Sequence, residues 1–385
     1  ILDLTDAAAQ PMLTDDERFA LVYNGECYNI QALRSELESR GQRLRSSGDT
    51  EVVLRWLATH GHEGLKSFNA MLAVALWDES RRSLLLGRDR FGQKPLYYYK
   101  ADGLLLFASE VRALLASGLV PRKVCAGGLL SYLAYGAVQG PETIVEGVRL
   151  LPAGSFLERD HDGWITAGRY WTPAANENAI GPEDIREGFR VAVARHLVSD
   201  APIGLFLSGG IDSSAVAAAA TRSSSGKVIS LSVDFPEQPD QSEKKFASLM
   251  ARSAGTEHRE VPITGAEMLD LLPQSFDAMD QPTIDSINTQ VVSYAARQAG
   301  LKAALSGLGG DEFFAGYPVF QDLPRIMHMH RLLGPMRGAA SALFGAQNAT
   351  ARRGAKLADV LSAPGEFVDL YLARRRLFSR KQLNH

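Results

Sequence analysis

From Pro182 onward, short apolar runs alternate with helix-length segments, and no other feature limits the fold as much. A helix-like stretch (EDIREGFRVAVARHLV) precedes an apolar run (IGLFL) and an Ala-rich helix. Then come a run (VISLSVDF), a helix (SEKKFASLMARSAG), a short strand near HREV, a helix (TQVVSYAARQAG) and a strand (LKAALSG). Strands and helices alternating at this spacing imply a parallel sheet with helices on both faces. Beyond Val319 the chain reads as mostly helical and basic.

The earlier half follows another rule. Between Phe19 and Ala116 lie five strand-like runs, FALVYN, MLAVALWD, SLLLGRD, PLYYY and LLLFAS, with one helical pattern, TEVVLRWLATHG. Many strands and few helices predict an α+β layered domain. From Ser117 to Asn176 Gly and Pro recur, and the stretch reads as connecting structure with a few short strands. A length of 385 residues allows two or three domains, and 45% hydrophobic residues are enough to fill their cores. The net charge of −3 argues against a dedicated nucleic-acid or membrane-surface binder. Neither Cys27 nor Cys125 belongs to a C-x-x-C pair, so no disulfide framework or zinc site is implied and a reducing cytoplasm fits. No apolar run reaches the length of a membrane span.

The chemistry concentrates in LFLSGGIDSSA, Leu205 to Ala215. It sits where a strand ends and a helix begins, the place where open α/β sheets bind ligands. Glycines let the backbone approach a phosphate, and the free N–H groups of the helix start point at it. Ser208, Ser213 and Ser214 add hydroxyls, whereas Asp212 repels an anion unless a divalent cation stands between them. No lysine follows the second glycine, so this is not the G-x-x-x-x-G-K-[ST] loop of kinases and GTPases. A second Gly-rich turn, LSGLGGDEFFAGY, follows a second strand. In a parallel sheet both strand ends share one edge, and Asp212 and Asp311 are expected to converge on one Mg²⁺. The plainer alternatives are a Gly-Ser turn before a helix, and acids that simply favour a helix N-terminus.

Taken together these motifs resemble the glutamine-hydrolysing asparagine synthetases. SGGIDSS resembles the pyrophosphate loop of N-type ATP pyrophosphatases, and with LSGLGGDEFFAGY it resembles the synthetase domain of that family. YNGECYN (Tyr23–Asn29), SSGDTEVVLRW (Ser46–Trp56), GRDRFGQKPLYYY (Gly87–Tyr99) and FASEVRALL (Phe107–Leu115) are similar to its glutaminase domain, and GVRLLPAGSFL to its connecting segment. The resemblance implies an αββα class II glutamine amidotransferase domain over residues 1–120 and a connecting segment over 121–180. Over 181–385 it implies an α/β parallel-sheet ATP pyrophosphatase domain with a helical C-terminal part. It implies that a carboxylate is activated by ATP as an acyl-adenylate, with pyrophosphate and then AMP released as glutamine-derived ammonia forms an amide. ATP and Mg²⁺ are the implied cofactors, glutamine or ammonia and a carboxylic acid such as aspartate the implied substrates. A homodimer is left open.

Residue by residue, the resemblance assigns Ser208, Gly209, Gly210, Ile211, Asp212, Ser213 and Ser214 to the pyrophosphate, and Asp212 and Asp311 to Mg²⁺. It assigns Leu207, Val233, Ser306 and Gly307 to the adenosine, although Leu207 and Val233 read equally well as strand core. Asn24 and Gly25 match oxyanion-hole positions, and Glu26 and Asp49 match positions that hold the amino group of glutamine. The alternatives are a hairpin turn for Asn24–Gly25 and a helix N-cap for Asp49. Arg88, Asp89, Arg90 and Lys94 are expected in structural ion pairs, Cys27 as a small buried residue, and His258 as structural. His328 and His330 lie two apart, so on a helix they do not form a metal pair.

The chain also departs from the family. It starts at Ile1, without the N-terminal cysteine nucleophile and an HRRL-like segment, and it ends at His385 without a lysine in the family's context, Lys381 not matching. It is therefore expected to be incomplete at both ends and not to hydrolyse glutamine as it stands. Leu308 occupies the glutamate position of SGEGxDE, and Gln281 the glutamate position of DEP. Leucine takes no proton, so an acid or amine other than aspartate and ammonia is the alternative reading.

Overall fold

The computed structural model describes residues 2–101, 103–173, 180–224, 226–339, 341–342 and 352–383. Ile1 and His385 lie outside the described residues. The first half forms strands β1 (Met12–Leu13), β2 (Phe19–Cys27), β3 (Ala70–Asp78), β4 (Ser83–Arg88), β5 (Tyr97–Ala101), β6 (Leu104–Ala108), β7 (Val148–Leu150), β8 (Ser155–Arg159) and β9 (Ile165–Arg169). One antiparallel sheet runs β1-β2-β3-β4-β8-β9 and a second runs β6-β5-β7.

Strand periodicity builds the layers. On β3, Leu72, Val74 and Leu76 face helices α1 (Ile30–Ser39) and α2 (Asp49–His60), while Ala73 and Ala75 face the second sheet with Tyr98 and Phe107. On β5, Tyr97 and Tyr99 point the other way, onto helix α3 (Val111–Ala116). The result is the expected helix–sheet–sheet–helix sandwich. The stretch expected as a connecting segment over 121–180 is paired into this sandwich as far as Arg169, because β7 closes the second sheet and β8 and β9 extend the first.

At the outer end of β3, Arg18 forks onto Asp78 with Nε 3.2 Å from Oδ1 and Nη2 2.9 Å from Oδ2. The Arg18 hydrogen bond is the main reason that the Asp78 carboxyl is held down at about 2. Its folded value lies below its unfolded one, so its contribution to stability is complete above about pH 4 and is lost as pH falls towards about 2. Arg18→Ala is expected to shift the acid-unfolding midpoint upward when ellipticity is followed from neutral pH down through that window. An unchanged acid limb contradicts this.

Helix α4 (Ala126–Tyr135) lies between α3 and β7, and the second half contains α5 (Pro182–His196), β10 (Ile203–Phe206), α6 (Ile211–Ser223), β11 (Ile229–Asp234), α7 (Lys244–Ala254), β12 (Glu257–Pro262), α8 (Gly265–Ala278), α9 (Ser286–Gln298), β13 (Ala303–Leu305) and α10 (Gly310–Phe314). Further helices include Pro318–Leu333, Arg352–Ser362 and Phe367–Arg375. The four strands are parallel in the order β12-β11-β10-β13. The chain moves outward from β10 to β12 and returns to place β13 on the other side of β10. That reversal opens a crevice at the carboxyl ends of β10 and β13, the binding position of open α/β sheets. Leu205, Leu207, Ala217, Ala220, Ala247 and Ala251 pack the core beneath it. Among the described residues, no helix is long and apolar enough to cross a membrane.

Candidate functional site

Both Gly-rich turns stand at that crevice. Leu207 continues β10, donating to the Leu231 carbonyl at 2.8 Å, and its side chain is 1% exposed in the core, so it presents only backbone to a ligand. The loop then pins itself. Ser208 N donates to Ser213 Oγ at 3.3 Å, the two hydroxyls lie 3.1 Å apart, and Gly210 N donates to Ser208 Oγ at 3.3 Å. Gly209 has φ +82°, and a Cβ there would sit 2.6 Å from the Phe246 backbone carbonyl carbon, so this position requires glycine. Ile211 and Asp212 open the helix, and Ser214 N donates to the Gly210 carbonyl at 3.0 Å. A helix start with its first N–H groups unpaired by the helix itself is an anion cradle.

The second turn is locked against the first. A Cβ on Gly307 would come within 2.9 Å of Ser213 N and 3.0 Å of Asp212 Cβ, and one on Gly310 would come within 2.5 Å of Asp212 Cγ. The carboxylate of Asp212 therefore lies on the backbone immediately before Asp311, and the two acids expected to converge stand on interlocked loops. Among the described residues no group of three or more His, Cys, Asp and Glu side chains gathers as a metal cage. Two carboxylates are the donor set Mg²⁺ favours when substrate phosphates and water supply the rest. Asp212 and Asp311 are therefore the residues that would hold Mg²⁺ bound together with a nucleotide. Leu308 N donates to Ser306 Oγ at 3.2 Å, and its side chain is 88% exposed at the crevice. Val233 packs with Ile263, Leu271 and Val291 beneath the end of β11.

The sites matched in the first domain occupy the end of β2. Asn24 and Gly25 pair with Ala73 and Leu72 within the sheet, which excludes the hairpin-turn alternative. Gly25 is tightly enclosed, since a Cβ would lie 2.7 Å from the Tyr23 ring. Gly48, not Asp49, is the N-cap of α2. The buried Asp49 instead accepts from Tyr23 Oη and Cys27 N, both at 2.9 Å. Strand alternation puts Asn24 on the opposite face, where Nδ2 donates to Ser109 Oγ at 3.2 Å. Burial, and then the charge of Asp49, raise the Glu26 carboxyl above its ordinary value. Burial above all pushes the Cys27 thiol up to about 12, which suits a core residue and not a nucleophile. Sequence reasoning missed the residues that shape this site. Glu51 Oε2 accepts from Arg45 N and Ser46 N, both at 2.7 Å, while Arg34 Nη2 donates to the Ser46 and Gly48 carbonyls at 3.0 and 3.1 Å.

The expected ion pairs around GRDRFGQK need correction. Asp89 is 1% exposed and accepts from the backbone N–H groups of Leu72, Phe91, Gln93 and Lys94 at 2.9–3.2 Å. Arg88 donates to the carbonyls of Gly92, Leu151 and Lys94 at 2.6–2.8 Å, and Arg90 to that of Lys66 at 2.9 Å. The backbone groups that this loop leaves without a sheet partner are satisfied by these side chains. His258 is structural, held between Ser230 Oγ (2.9 Å) and Ser232 Oγ (3.1 Å), and burial lowers its pKa. His330 is buried, with Nε2 3.0 Å from the Ala363 carbonyl.

The two domains are joined through MDQPTID. Asp280 accepts from Val111 N and Arg112 N at 2.8 and 2.9 Å, and Arg112 donates to the Asp277 and Ala278 carbonyls at 3.0 and 2.5 Å. Gln281 Oε1 accepts from Ile144 N at 2.9 Å, so this side chain serves domain docking. A cleft of about 1030 Å³ at the outer end of the first domain, lined by Arg18, His62, Glu158 and Trp164 among others, includes no residue of these loops. Size alone does not locate the chemistry.

Residues 184–385 match the family model described as asparagine synthase, and residues 1–171 the one described as glutamine amidotransferase domain. The chain belongs to the asparagine synthase family. Its similar relatives include glutamine-hydrolyzing asparagine synthetase 3 of Bacillus subtilis, 31% identical over 82% of this chain and 55% of the relative. Glutamine-hydrolyzing asparagine synthetase B of Escherichia coli is 33% identical over 84% and 57%, and a putative asparagine synthetase of Methanocaldococcus jannaschii is 30% identical over 82% and 65%. The chain thus spans about half to two thirds of the length of these curated relatives. In this family member the boundary between the two matches falls between β9 and α5.

Proposed function

We propose that this protein forms an amide from a carboxylic acid by an ATP-dependent, AMP-forming reaction of the asparagine synthetase type, with a glutaminase-type domain as the source of ammonia. The observation that carries this reading is the interlocking of the two Gly-rich turns at the crevice between β10 and β13, which brings Asp212 against Gly310. In this reading the N–H groups at the start of α6 and the hydroxyl of Ser214 hold the pyrophosphate portion of ATP, with Ser208 and Ser213 fixing the loop. The backbone of Leu207, Ser306 and Gly307 and the side chain of Val233 border the adenosine. Asp212 and Asp311 would hold Mg²⁺, which when bound would screen the charge of the phosphates.

An oxygen of the acid attacks the α-phosphorus. The new C–O–P linkage forms as the bond to the β-phosphate breaks, and pyrophosphate leaves. Ammonia then attacks the acyl carbon, AMP leaves with the C–O electron pair, and a proton is lost as the amide forms. In the first domain, Asn24 and the Gly25 N–H face the developing oxyanion. Glu26 and Asp49 receive the ammonium of glutamine. A cytoplasmic location belongs to the same reading.

Leu308 favours a second reading within the same chemistry. An exposed leucine at the mouth of the crevice neither accepts a proton nor holds a cation, so the acid or amine differs from aspartate and ammonia. The two are separated by supplying Mg-ATP with L-aspartate and ammonia, or with a panel of other carboxylic acids and amines, and measuring AMP and pyrophosphate. Aspartate-dependent AMP with asparagine supports the ordinary reaction. AMP only with another acid supports the specialised one. No AMP with any acid or amine contradicts both.

A further inference from the structure

The helix that carries Asp311 does not hold itself in place. α10 has five residues, none of them buried, and is bounded by left-handed residues on both sides, Gly309 at φ 99° and Ala315 at φ 55°. A helix this short has no stability of its own, so tertiary contacts set its orientation. One contact is Gly310 beneath Asp212. Another crosses between the domains. The ring of Phe313 meets Phe91 edge-on, with centroids 5.4 Å apart and planes at 82°. Both residues stay largely exposed, Phe313 at 69% and Phe91 at 56%.

The two sides of this pair differ in rigidity. Phe91 N donates to Asp89 Oδ1 at 3.1 Å, within a loop that Asp89 ties down through three of its own amides. Phe91 also packs edge-on against Trp171, at 5.0 Å and 64°, and the Arg90 guanidinium lies 6.0 Å from the Trp171 ring centre. The first domain therefore supplies a fixed aromatic post, and the second domain rests its weakly held helix on it.

We propose that Phe91 and Phe313 are positioning residues: through this pair the glutaminase-type domain sets where Asp311 stands for Mg-ATP. The proposal rests on the reading of Asp212 and Asp311 as the Mg-ATP site. Linkage makes the coupling reciprocal, so Mg-ATP binding must in turn act on Phe91 and on Trp171 behind it. Trp171 is one of four tryptophans and provides a built-in reporter.

The test is a titration of the full chain with Mg-ATP, followed both by calorimetry and by tryptophan emission. The wild type is expected to bind with an emission change that Trp171→Phe removes. Phe313→Ala and Phe91→Ala are each expected to weaken Mg-ATP binding by about threefold to tenfold, the range an aromatic pair supports. Both should silence the Trp171 response, leave binding of ATP in EDTA unchanged, and keep wild-type ellipticity. Phe313→Tyr should restore affinity and emission together. Wild-type Mg-ATP affinity in both alanine variants overturns the proposal and leaves the ATP site standing, and so does Mg-ATP binding by the wild type with no Trp171 response. Absence of Mg-ATP binding by the wild type overturns the site reading and the proposal with it.

Discussion

Gly310→Ala is expected to weaken Mg-ATP binding at least tenfold, as an order of magnitude, while the protein still folds. Gly310 does not have a positive φ, so alanine brings no backbone strain there, and the effect isolates the steric clash. The new methyl carbon would sit 2.5 Å from Asp212 Cγ and 3.0 Å from Oδ1. Contacts this short require either Asp212 or the 306–310 loop to move, and small-to-large changes of this kind cost about 1–3 kcal/mol. Relief by moving Asp212 displaces a proposed cation ligand, and relief by moving the loop displaces Asp311. Calorimetric titration with Mg-ATP measures the loss, and thermal melting verifies the fold. Gly309→Ala is a contrasting control, because its φ of 99° makes alanine strained there although nothing lies within 4 Å of the new atom. Unaltered Mg-ATP affinity in Gly310→Ala contradicts the convergence of the two acids.

Asp89→Ala is expected to be the most destabilising single change in the first domain, by about 3–5 kcal/mol. Its two oxygens satisfy four backbone N–H groups in a position 1% exposed. Alanine leaves those four N–H groups without their acceptor, and the loop that holds Phe91 loses its frame. Asp89→Asn should recover only part of the loss, because its amide group presents donors to donors. Urea unfolding measures the change as a lowered midpoint. A shift corresponding to less than about 1 kcal/mol contradicts the structural role assigned to Asp89.

Much of this fold is legible in the residues, and the exceptions have physical causes. TEVVLRWLATHG reads directly as α2, and IGLFLSGGIDSSAVAAAA as strand, loop and helix, because periodicity and Gly-rich punctuation are local signals. α1 is harder to see, since its buried Ile30, Leu33 and Leu37 are diluted by the polar residues of QALRSELES. α8 is announced by a capping box, with Thr264 Oγ1 accepting from Glu267 N at 3.2 Å and Glu267 Oε2 accepting from Thr264 N at 2.8 Å. That Thr-x-x-Glu spacing was a readable signal.

Long-range pairing leaves no such trace. The partners of β8 are β4 and β9, and nothing in SFLER indicates that it joins a sheet begun more than a hundred residues earlier. The same limit applies to the site. The sequence shows that Asp212 and Asp311 each follow a strand, but their proximity depends on β13 returning beside β10. Gln281 stands next to Asp280 in a motif that looks chemical, yet both face backbone amides of the other domain. Charge pattern in GRDRFGQK suggests ion pairs, whereas burial turns the same residues toward backbone groups. The Phe91–Phe313 contact joins two rings more than two hundred residues apart, and no local pattern reports it.

In the proposed reaction, the crevice between β10 and β13 splits ATP at the α-phosphate to activate a carboxylic acid. The most direct measurement is acid-dependent exchange of labelled pyrophosphate into ATP in the presence of Mg²⁺, with no amine supplied. Exchange that requires the acid and falls sharply in Gly310→Ala is the predicted result. Release of ADP and phosphate, or Mg-ATP binding without exchange for any acid tested, would contradict the account.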